Sequence, residues 1–270
     1  MAEANQRKSI FVTGAASGIG AATAKHFAKK DWFVGLFDID EAGLTKVASE
    51  IGTSNCISAL LDVRDREQWT KAMEAFSAAT SGEMHVLFNN AGIGRHGWFE
   101  DIAPEDSDAI IDINVKGVIN GVYAALPLLK PTKGARIVNV ASTAGFAGSP
   151  QLAVYVASKF AVRGLTEALE LELEPLDVKV TSLAPWFVDT PILDMGQTTD
   201  ANHKMSDSLQ EHGLEIYPVA MAAEGAWNAA TGTRTHYGVG RLANQTRFLS
   251  RYFPGFLRRR MRKAVPPRDA

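Results

Sequence analysis

The sequence predicts a three-layer α/β fold, in which one parallel sheet is covered by helices on both faces. Short runs rich in β-branched residues alternate with longer helical segments along most of the chain. The β-rich runs are apolar along their whole length, as expected for strands that are buried on both faces. Strict alternation of strand and helix favours a doubly wound parallel sheet with right-handed crossovers.

Seven segments are predicted strands: 10–13, 33–37, 57–61, 86–89, 137–140, 178–183 and, with the weakest pattern, 236–240. Five segments between them are predicted helices: 19–30, 41–50, 66–79, 104–129 and 152–174. The alternation breaks down after Leu183, and residues 186–217 are mixed and polar, with Gly, Pro and Asn among them. So long an irregular stretch in a compact domain predicts a binding loop or lid, with a disordered insert as the alternative.

Composition is that of a soluble globular protein, with 270 residues of which 46% are hydrophobic and 21% charged. No internal repeat or low-complexity linker divides residues 1–270, so we expect a single domain. The only cysteine, Cys56, excludes an intramolecular disulfide and agrees with a cytoplasmic location. The polar N-terminus is unlike a signal peptide, and no apolar run approaches the roughly 20 residues of a membrane span. The six histidines are scattered, so no metal site is predicted.

A glycine-rich turn joins the first predicted strand to the first helix. Residues 13–20 read Thr-Gly-Ala-Ala-Ser-Gly-Ile-Gly. Glycines let the backbone turn tightly and approach a pyrophosphate, and the free N–H groups of the following helix attract that anion. The spacing differs from the Gly-x-Gly-x-x-Gly pattern, so a plain glycine-rich turn remains the alternative.

Asp38 ends the second predicted strand, eighteen residues after Gly20. An acid at this place can accept hydrogen bonds from the adenosine ribose and would repel a 2′-phosphate. No Arg or Lys lies within residues 14–20 or directly after Asp38. The pattern favours NAD over NADP, with a solvated turn residue as the alternative because Asp40 and Glu41 are close by.

Tyr155 and Lys159 are four residues apart in a predicted helix, and therefore lie on one face. A tyrosine has a pKa near 10, and a neighbouring positive charge lowers it. We therefore expect Lys159 to tune Tyr155 as an acid or base for an alcohol oxygen. The spacing alone also fits an ordinary surface pair.

Further motifs follow in order and at regular spacing. They are Asp62-Val63, Asn89-Asn90-Ala91-Gly92, Asn114 within residues 113–117, Ser142 after the fifth predicted strand, and the Tyr155/Lys159 pair. Together with the turn at 13–20, these motifs resemble those of the short-chain dehydrogenase/reductase family, and the resemblance extends from about Lys8 to Thr190. It implies a Rossmann-like fold and an oxidoreductase acting on a secondary alcohol or ketone.

The resemblance implies a role for each of four residues. Tyr155 would be the general acid or base at the substrate oxygen, and Ser142 would orient that oxygen by a hydrogen bond. Lys159 would lower the pKa of Tyr155 and hold the nicotinamide ribose. Asn114 would anchor a water that links Lys159 to solvent as a proton relay. The hydride chemistry belongs to the cofactor.

The resemblance also implies contacts to NAD from loops at the carboxyl ends of the strands. The expected contact residues are Thr13, Gly14, Ser17, Gly18, Ile19, Gly20, Asp38, Asp62, Val63, Asn90, Ala91, Gly92, Tyr155, Lys159, Pro185, Val188 and Thr190.

One position departs from the family pattern, because Trp186 stands where a glycine usually follows Pro185. We expect its bulk to narrow or line the substrate site, with packing beneath the lid as the alternative. Substrate contacts are expected from residues 94–98, 143–152 and the lid. The small apolar loop at 143–148 favours a hydrophobic alcohol or ketone, although Arg95 and His96 offer a site for an acidic group.

The C-terminal extension, residues 241–270, is strongly basic. It holds nine Lys and Arg residues and a single acid, whereas the rest of the chain has a net charge of −10. Apolar residues are interleaved, and Pro254-Gly255 is expected to separate two short helices. We expect this extension to pack on the protein or a partner subunit, with peripheral membrane contact as the second interpretation. Nucleic-acid binding is not expected.

The sequence therefore predicts an NAD-dependent dehydrogenase acting on a hydrophobic secondary alcohol or ketone. By resemblance we expect a homo-oligomer, a dimer or more often a tetramer, paired through the helices at 104–129 and 152–174. The alternatives are an NADP-dependent carbonyl reductase, a non-catalytic nucleotide-binding protein of the same fold, and a Rossmann-like methyltransferase. The four catalytic candidates argue against the last two.

Overall fold

A computed structural model describes residues 7–194, 209, 214–263 and 265 of the protein. The strands are β1 (Ser9–Thr13), β2 (Phe33–Asp38), β3 (Cys56–Leu60), β4 (Val86–Asn89), β5 (Arg136–Val140), β6 (Lys179–Pro185) and β7 (His236–Val239). They form one parallel sheet in the order β3-β2-β1-β4-β5-β6-β7. Every predicted strand is present within two residues of its expected bounds, and the predicted doubly wound sheet is confirmed.

Helices cover both faces of this sheet. They are α1 (Gly18–Ala28), α2 (Glu41–Ile51), α3 (Arg66–Ala79), α4 (Pro104–Ile111), α5 (Gly117–Leu129), α6 (Ala153–Leu173), α7 (Val219–Thr231), α8 (Arg241–Tyr252) and α9 (Pro254–Lys263). The five predicted helices are all present, but the one expected over 104–129 is divided by a π-helical turn, Asp112–Lys116.

Alternate side chains of β1 show how the two core layers form. Ile10 and Val12 are fully buried against the layer made by α1, α2 and α7. Phe11 points to the other face, where its ring stacks on Phe37 with centroids 3.9 Å apart and contacts Trp69 of α3 at 5.6 Å. Period-two alternation with apolar residues on both faces is the pattern expected of a central parallel strand.

The helical stretch Pro104–Leu129 is long and apolar enough to cross a membrane, with a mean hydropathy of 1.3. Its apolar side chains have a different explanation in this fold. Val122, Ala125 and Leu129 are buried in the same core layer as Trp69 and Phe76. Core helices of globular proteins can be equally long and apolar, because their apolar side chains are buried inside the protein.

Helix α7 was not predicted from the sequence. Its buried face is made of alanines, namely Ala222, Ala223, Ala226, Ala229 and Ala230. These small residues pack on α1, where Gly20, Ala21 and Ala24 are also buried. An alanine stripe gives little contrast between apolar and polar positions, so hydrophobic periodicity does not reveal such a helix.

The expected lid over 186–217 falls in large part outside the described residues, but both of its ends are described. The amide of Tyr217 donates to the carbonyl of Phe187 (2.9 Å), and the amide of Asp189 donates to the carbonyl of Tyr217 (2.9 Å). The Tyr217 ring occupies the space that a side chain on Gly240 would fill, and Gly240 has a φ of +83°. The two ends of the expected lid therefore meet beside the residue from which α8 starts.

The C-terminal extension contains the two expected helices, α8 and α9. The break lies at Phe253 rather than at Pro254-Gly255, because Pro254 is the first residue of α9. Proline is favoured at this position, where its missing N–H would have no partner within the helix.

Candidate active site

The strand order reverses between β1 and β4, and this reversal opens a crevice at the carboxyl end of the sheet. The Thr13 hydroxyl accepts hydrogen bonds from the backbone amides of Asn90 (2.9 Å) and Ala91 (3.1 Å). The Asn90 side chain donates to the carbonyls of Thr13 (2.9 Å) and Gly14 (3.1 Å). Four predicted cofactor residues thus meet here, but the side chains of Thr13 and Asn90 serve to join the two strand ends.

The glycine-rich turn has the shape of an anion cradle. Gly14 and Gly18 have φ values of +64° and +50°, and a side chain on Gly20 would collide with the Gly14 carbonyl oxygen. Ser17 is exposed and its side chain does not cap α1. The first turn of α1 therefore keeps backbone N–H groups directed at the crevice, which fits the pyrophosphate of a dinucleotide.

Asp38 lies against this turn, as the sequence predicts. One carboxylate oxygen accepts the Ala16 amide (2.9 Å) and the other accepts the Asp40 amide (3.1 Å). A carboxylate offers about four acceptor positions, so both oxygens keep capacity for ribose hydroxyls. Next to it, Ile39 is 73% exposed and gives an apolar surface for a base. The sequence reasoning missed Ile39, although an isoleucine directly after the acid was the available signal.

Asp62 and Val63, which follow β3, form hydrogen bonds with other residues of the protein. Arg64 binds the Asp62 carboxylate with its Nε at 2.9 and 3.0 Å and a terminal nitrogen at 2.6 Å. The hydrogen bond from Arg64 holds the pKa of Asp62 below its usual value. The Val63 carbonyl accepts from the Trp69 indole (3.0 Å) and from the Asn120 side chain (3.1 Å). The expected contact from Asp62 to the cofactor would have to share the carboxylate with Arg64.

Asn114 lies in the π-helical turn and is 1% exposed. Its side chain accepts from the Ile93 amide and donates to the Ile93 carbonyl, both at 2.9 Å. It also donates to the hydroxyl of Ser158 (3.1 Å), which in turn donates to the Tyr155 carbonyl (2.7 Å). Asn114 thus connects the loop after Gly92 to the first turn of α6. The π turn, a form often found at functional sites, was not predicted, nor was Ser158.

The other three catalytic candidates meet where β5 and α6 lie side by side. A hydrogen bond joins the side chains of Ser142 and Tyr155. Lys159 is almost fully buried, and its Nζ donates to the Val140 carbonyl at 2.9 Å. That nitrogen lies over the Tyr155 ring, 5.6 Å from the centroid. A side chain on Gly92 would lie 3.6 Å from it. The phenol, a hydroxyl and an amine are thus gathered beside the crevice.

The pKa of Tyr155 is raised by its surroundings in the protein. The expectation from the sequence that these surroundings lower it was wrong. Burial raises the pKa of Tyr155 above its usual value near 10, and the hydrogen bond with Ser142 offsets only part of that effect. Burial also lowers the pKa of Lys159 to about 8. The amine donates to the Val140 carbonyl and lies 5.6 Å from the centroid of the Tyr155 ring, and burial is the largest influence on the pKa of Tyr155.

The segment after β6 reaches the glycine-rich turn. A side chain on Gly18 would meet the Thr190 methyl at 3.2 Å, so Thr190 lies at the start of α1. Val188 is buried in the core, and Pro185 ends β6. Trp186 is half-buried, its ring meets Phe187 edge-on with centroids 5.0 Å apart, and its indole N–H has no hydrogen-bond partner within the described residues.

An apolar cluster borders Tyr155. It consists of Leu152, Leu193 and Leu209, with Tyr155, Val156, Phe187, Ile192 and Ile216 packed against them. Most of these residues come from two of the three segments expected to contact substrate, 143–152 and the lid. The third segment is joined to them, because the Gly97 amide donates to the Gln151 carbonyl (3.0 Å).

Two side chains considered for substrate contact are engaged elsewhere. Arg95 pairs with Asp106 at 3.0 Å, which neutralises its charge. The Phe146 ring is buried, lies beneath the Arg163 guanidinium at 4.7 Å and meets His236 edge-on at 5.8 Å. The site therefore offers less positive charge to an acidic substrate group than the sequence indicated.

Residues 8–201 match the family model described as short chain dehydrogenase. The chain belongs to the short-chain dehydrogenase family. It is 37% identical to a 3-alpha-(or 20-beta)-hydroxysteroid dehydrogenase of Mycobacterium bovis over 188 residues, 69% of this chain and 71% of that protein. The predicted family is thereby confirmed, and with it an oxidoreductase function.

Solved structures of other short-chain dehydrogenases share the fold and carry nicotinamide cofactors. A short chain dehydrogenase/reductase from Burkholderia phymatum, in complex with NAD, superimposes with a TM-score of 0.81 at 27% identity and covers 98% of both chains. A 3-ketoacyl-(acyl-carrier-protein) reductase from Brucella melitensis, complexed with NADH, gives 0.75 at 32% identity over 86% of this chain and 96% of that chain. These structures support a nicotinamide cofactor in the crevice described above.

Replacing Lys159 with Met should stabilise the protein at neutral pH while removing its activity. The Lys159 pKa is about 8 in the folded protein and near 10.4 in an unfolded chain, so the unfolded chain binds more protons between these values. The free energy of unfolding therefore rises with pH across this window. Below pH 8 the buried amine costs about 3 kcal/mol, from which about 1 kcal/mol for the lost bond to Val140 must be subtracted.

Thermal unfolding at pH 7 and pH 10 measures this effect. The gain in melting temperature for Lys159→Met should be large at pH 7 and should shrink at pH 10. Lys71→Met, at an exposed lysine of α3, is the control and should change little at either pH. Equal shifts for Lys159→Met at both pH values would contradict the argument.

Proposed function

We propose that this short-chain dehydrogenase transfers a hydride between NAD(H) and a hydrophobic secondary alcohol or ketone. The observation that carries the proposal is the position of Tyr155. Its hydroxyl bonds to Ser142, its ring borders the apolar cluster of Leu152, Leu193 and Leu209, and Lys159 is buried one helical turn away. An oxygen bound at Tyr155 would therefore have its carbon substituents in apolar surroundings.

Each of the four side chains has a distinct task in this proposal. Ser142 and Tyr155 hold the substrate oxygen between two hydroxyls and fix its orientation. In ketone reduction Tyr155 donates its proton to that oxygen, and in alcohol oxidation its phenolate takes the proton. When bound, NAD(H) donates or accepts the hydride at its nicotinamide ring. Lys159 donates hydrogen bonds to the cofactor ribose, and Asn114 fixes the loop and helix between which Lys159 lies.

The raised pKa of Tyr155 bears on the pH dependence of this chemistry. A phenol with a raised pKa stays protonated at neutral pH and is ready to donate its proton to a ketone. Alcohol oxidation requires the phenolate and is therefore expected to increase with pH. The positive charge of oxidised nicotinamide close to Tyr155 would favour that phenolate.

NAD is the proposed cofactor because of the charge beside the ribose position. Asp38 lies at the glycine-rich turn, and its carboxylate keeps acceptor capacity. A 2′-phosphate would meet that negative charge, while Arg64, a nearby cation in the sequence, is already paired with Asp62. An NADP-dependent carbonyl reductase remains the second candidate, and the Asp38 variant below separates the two.

Two of the similar proteins are named for steroids and for 3-ketoacyl chains, in which a ketone or alcohol group is attached to an apolar body. These names agree with a substrate of the same chemistry. The apolar cluster beside Tyr155 and the pairing of Arg95 with Asp106 favour such substrates over sugars and phosphorylated compounds.

We also propose a homo-oligomer that pairs through α5 and α6, with a tetramer as the expected form. Large apolar side chains on these helices are exposed: Tyr123 on α5, and Phe160 and Leu171 on α6. Pairing of copies along these helices would remove them from water.

Tyr155→Phe should lower kcat for alcohol oxidation by about 100-fold to 10,000-fold, because the proton acceptor is lost while the ring remains. Absorbance of NADH formed at alkaline pH, over aliphatic, aromatic, cyclic and steroid secondary alcohols, measures this change. NADH binding, followed by fluorescence, should persist in the variant. Retained turnover would exclude the proposed role, and turnover with neither NAD nor NADP in the wild type would favour the non-catalytic alternative.

Asp38→Asn should raise the kcat/KM ratio of NADP over NAD at least tenfold. The amide keeps one acceptor for the turn and removes the charge that repels the 2′-phosphate. Asp40→Asn, two residues further along the chain, is the matched control and should leave the ratio unchanged. An unaltered ratio in Asp38→Asn would contradict the cofactor argument.

Trp186→Gly should widen the range of alcohols accepted, with a lower KM for bulky substrates and little change for small ones. The reason is that a half-buried indole beside Phe187 would no longer fill space near the apolar cluster. Substrate profiles of Trp186→Gly and Trp186→Phe, measured side by side, test this. If both profiles match the wild type, Trp186 serves packing alone.

A further inference from the structure

The last two helices carry aromatic side chains that the described part of the protein leaves uncovered. Phe248, Tyr252, Phe253 and Phe256 are 55%, 61%, 53% and 58% exposed. The Phe248 ring lies 5.0 Å from Tyr252 and 6.0 Å from Phe253, measured between centroids. With Phe256, in the first turn of α9, these residues form what we call the aromatic patch.

The opposite side of α8 is fixed to the protein, and α9 packs on α8. Ala243 and Leu257 are buried, and the Arg247 side chain donates to the His236 carbonyl of β7 at 2.9 Å. The Leu257 amide donates to the Phe253 carbonyl at 3.1 Å, which joins α9 to the end of α8. The aromatic patch is therefore the outer face of an anchored helix pair.

The two helices that carry the aromatic patch are basic and contain no acid. Residues 241–263 contain eight Arg and Lys residues and no Asp or Glu. Arg259, Arg260 and Lys263 follow Phe256 by three, four and seven residues and share its helix face, where all of them are exposed. Within the described ranges, no carboxylate forms an ion pair with any of the eight cations.

We propose that the outer face of α8 and α9 is a docking surface for the anionic lipids of a membrane. Aromatic rings are favoured at the level of the lipid headgroups, and Lys and Arg side chains bind lipid phosphates beside them. The helices are short and highly charged, so they would lie in the plane of the interface without crossing the bilayer. None of the aromatic-patch residues is among the proposed catalytic or cofactor-binding residues, so the proposal does not depend on the proposed function.

A second copy of the chain fits this face less well. A twofold interface that pairs this face with itself would bring Arg259, Arg260 and Lys263 of one copy close to the same cations of the other. The sequence alone favoured packing of the extension on the protein or on a subunit. The structure reverses that preference, because Ala243 and Leu257 make the packing contacts while the aromatic side chains remain outside.

Sedimentation of the full-length protein with lipid vesicles tests the proposal. At 0.1 M salt, the wild type should sediment with vesicles containing 30% phosphatidylserine and remain in solution with pure phosphatidylcholine. Salt at 0.5 M should weaken the binding, because screening shortens the reach of the cations. The variant Arg259→Glu/Arg260→Glu/Lys263→Glu should bind at least tenfold more weakly, as should Phe248→Ser/Tyr252→Ser/Phe256→Ser.

A matched control has the same change in net charge at exposed lysines elsewhere: Lys71→Glu/Lys130→Glu/Lys133→Glu. It should bind vesicles within twofold of the wild type, and all variants should keep their melting temperature and their activity on a water-soluble alcohol. The proposal is overturned if the wild type ignores anionic vesicles, or if the control loses as much binding as the Arg259 variant. A changed mass of the Arg259 variant by light scattering, without vesicle binding by the wild type, would instead assign the face to contact between copies.

Discussion

The join between the ends of β1 and β4 is the interaction on which the site depends. At this point the chain segments that follow neighbouring strands leave in opposite directions, and a crevice opens. Thr13 and Asn90 exchange side-chain and backbone hydrogen bonds across it, so the width of the crevice is fixed by atoms of the protein itself. Backbone N–H groups at the start of α1 then remain for a ligand, in a geometry that the ligand does not have to create.

A second constraint arises from the burial of Lys159. The fold places an amine beneath Tyr155 where water is excluded, and burial works against the charged form that ribose hydroxyls would bind best. Active sites often hold groups in such unfavourable surroundings at the expense of stability. Gly92 contributes to this arrangement, because the β-carbon of any other residue there would lie 3.1 Å from the Asn114 side-chain oxygen. At Lys159 the requirements of the site and of stability are therefore opposed, since an apolar residue there would make the core more stable.

The sequence predicted the sheet and the residues around the crevice because both leave local signals. Apolar runs mark buried strands, and the spacing of Tyr155 and Lys159 marks one helix face. The missed features depend on contacts distant in sequence. Helix α7 is defined by alanines that fit against α1, and the pKa of Tyr155 depends on how deeply the folded chain buries it. Likewise, which face of the C-terminal extension packs and which is exposed depends on its contacts with β7.

The contact between Tyr217 and Gly240 couples one end of the expected lid to the C-terminal helices. Backbone hydrogen bonds tie Tyr217 to Phe187 and Asp189, and its ring fills the space beside Gly240. Because α8 starts directly after Gly240, this end of the expected lid and the C-terminal helix pair share one contact. A larger residue in place of Gly240 would displace the Tyr217 ring, and with it the backbone that bonds to Phe187 and Asp189, so a change at the start of the C-terminal helices is felt beside the candidate site.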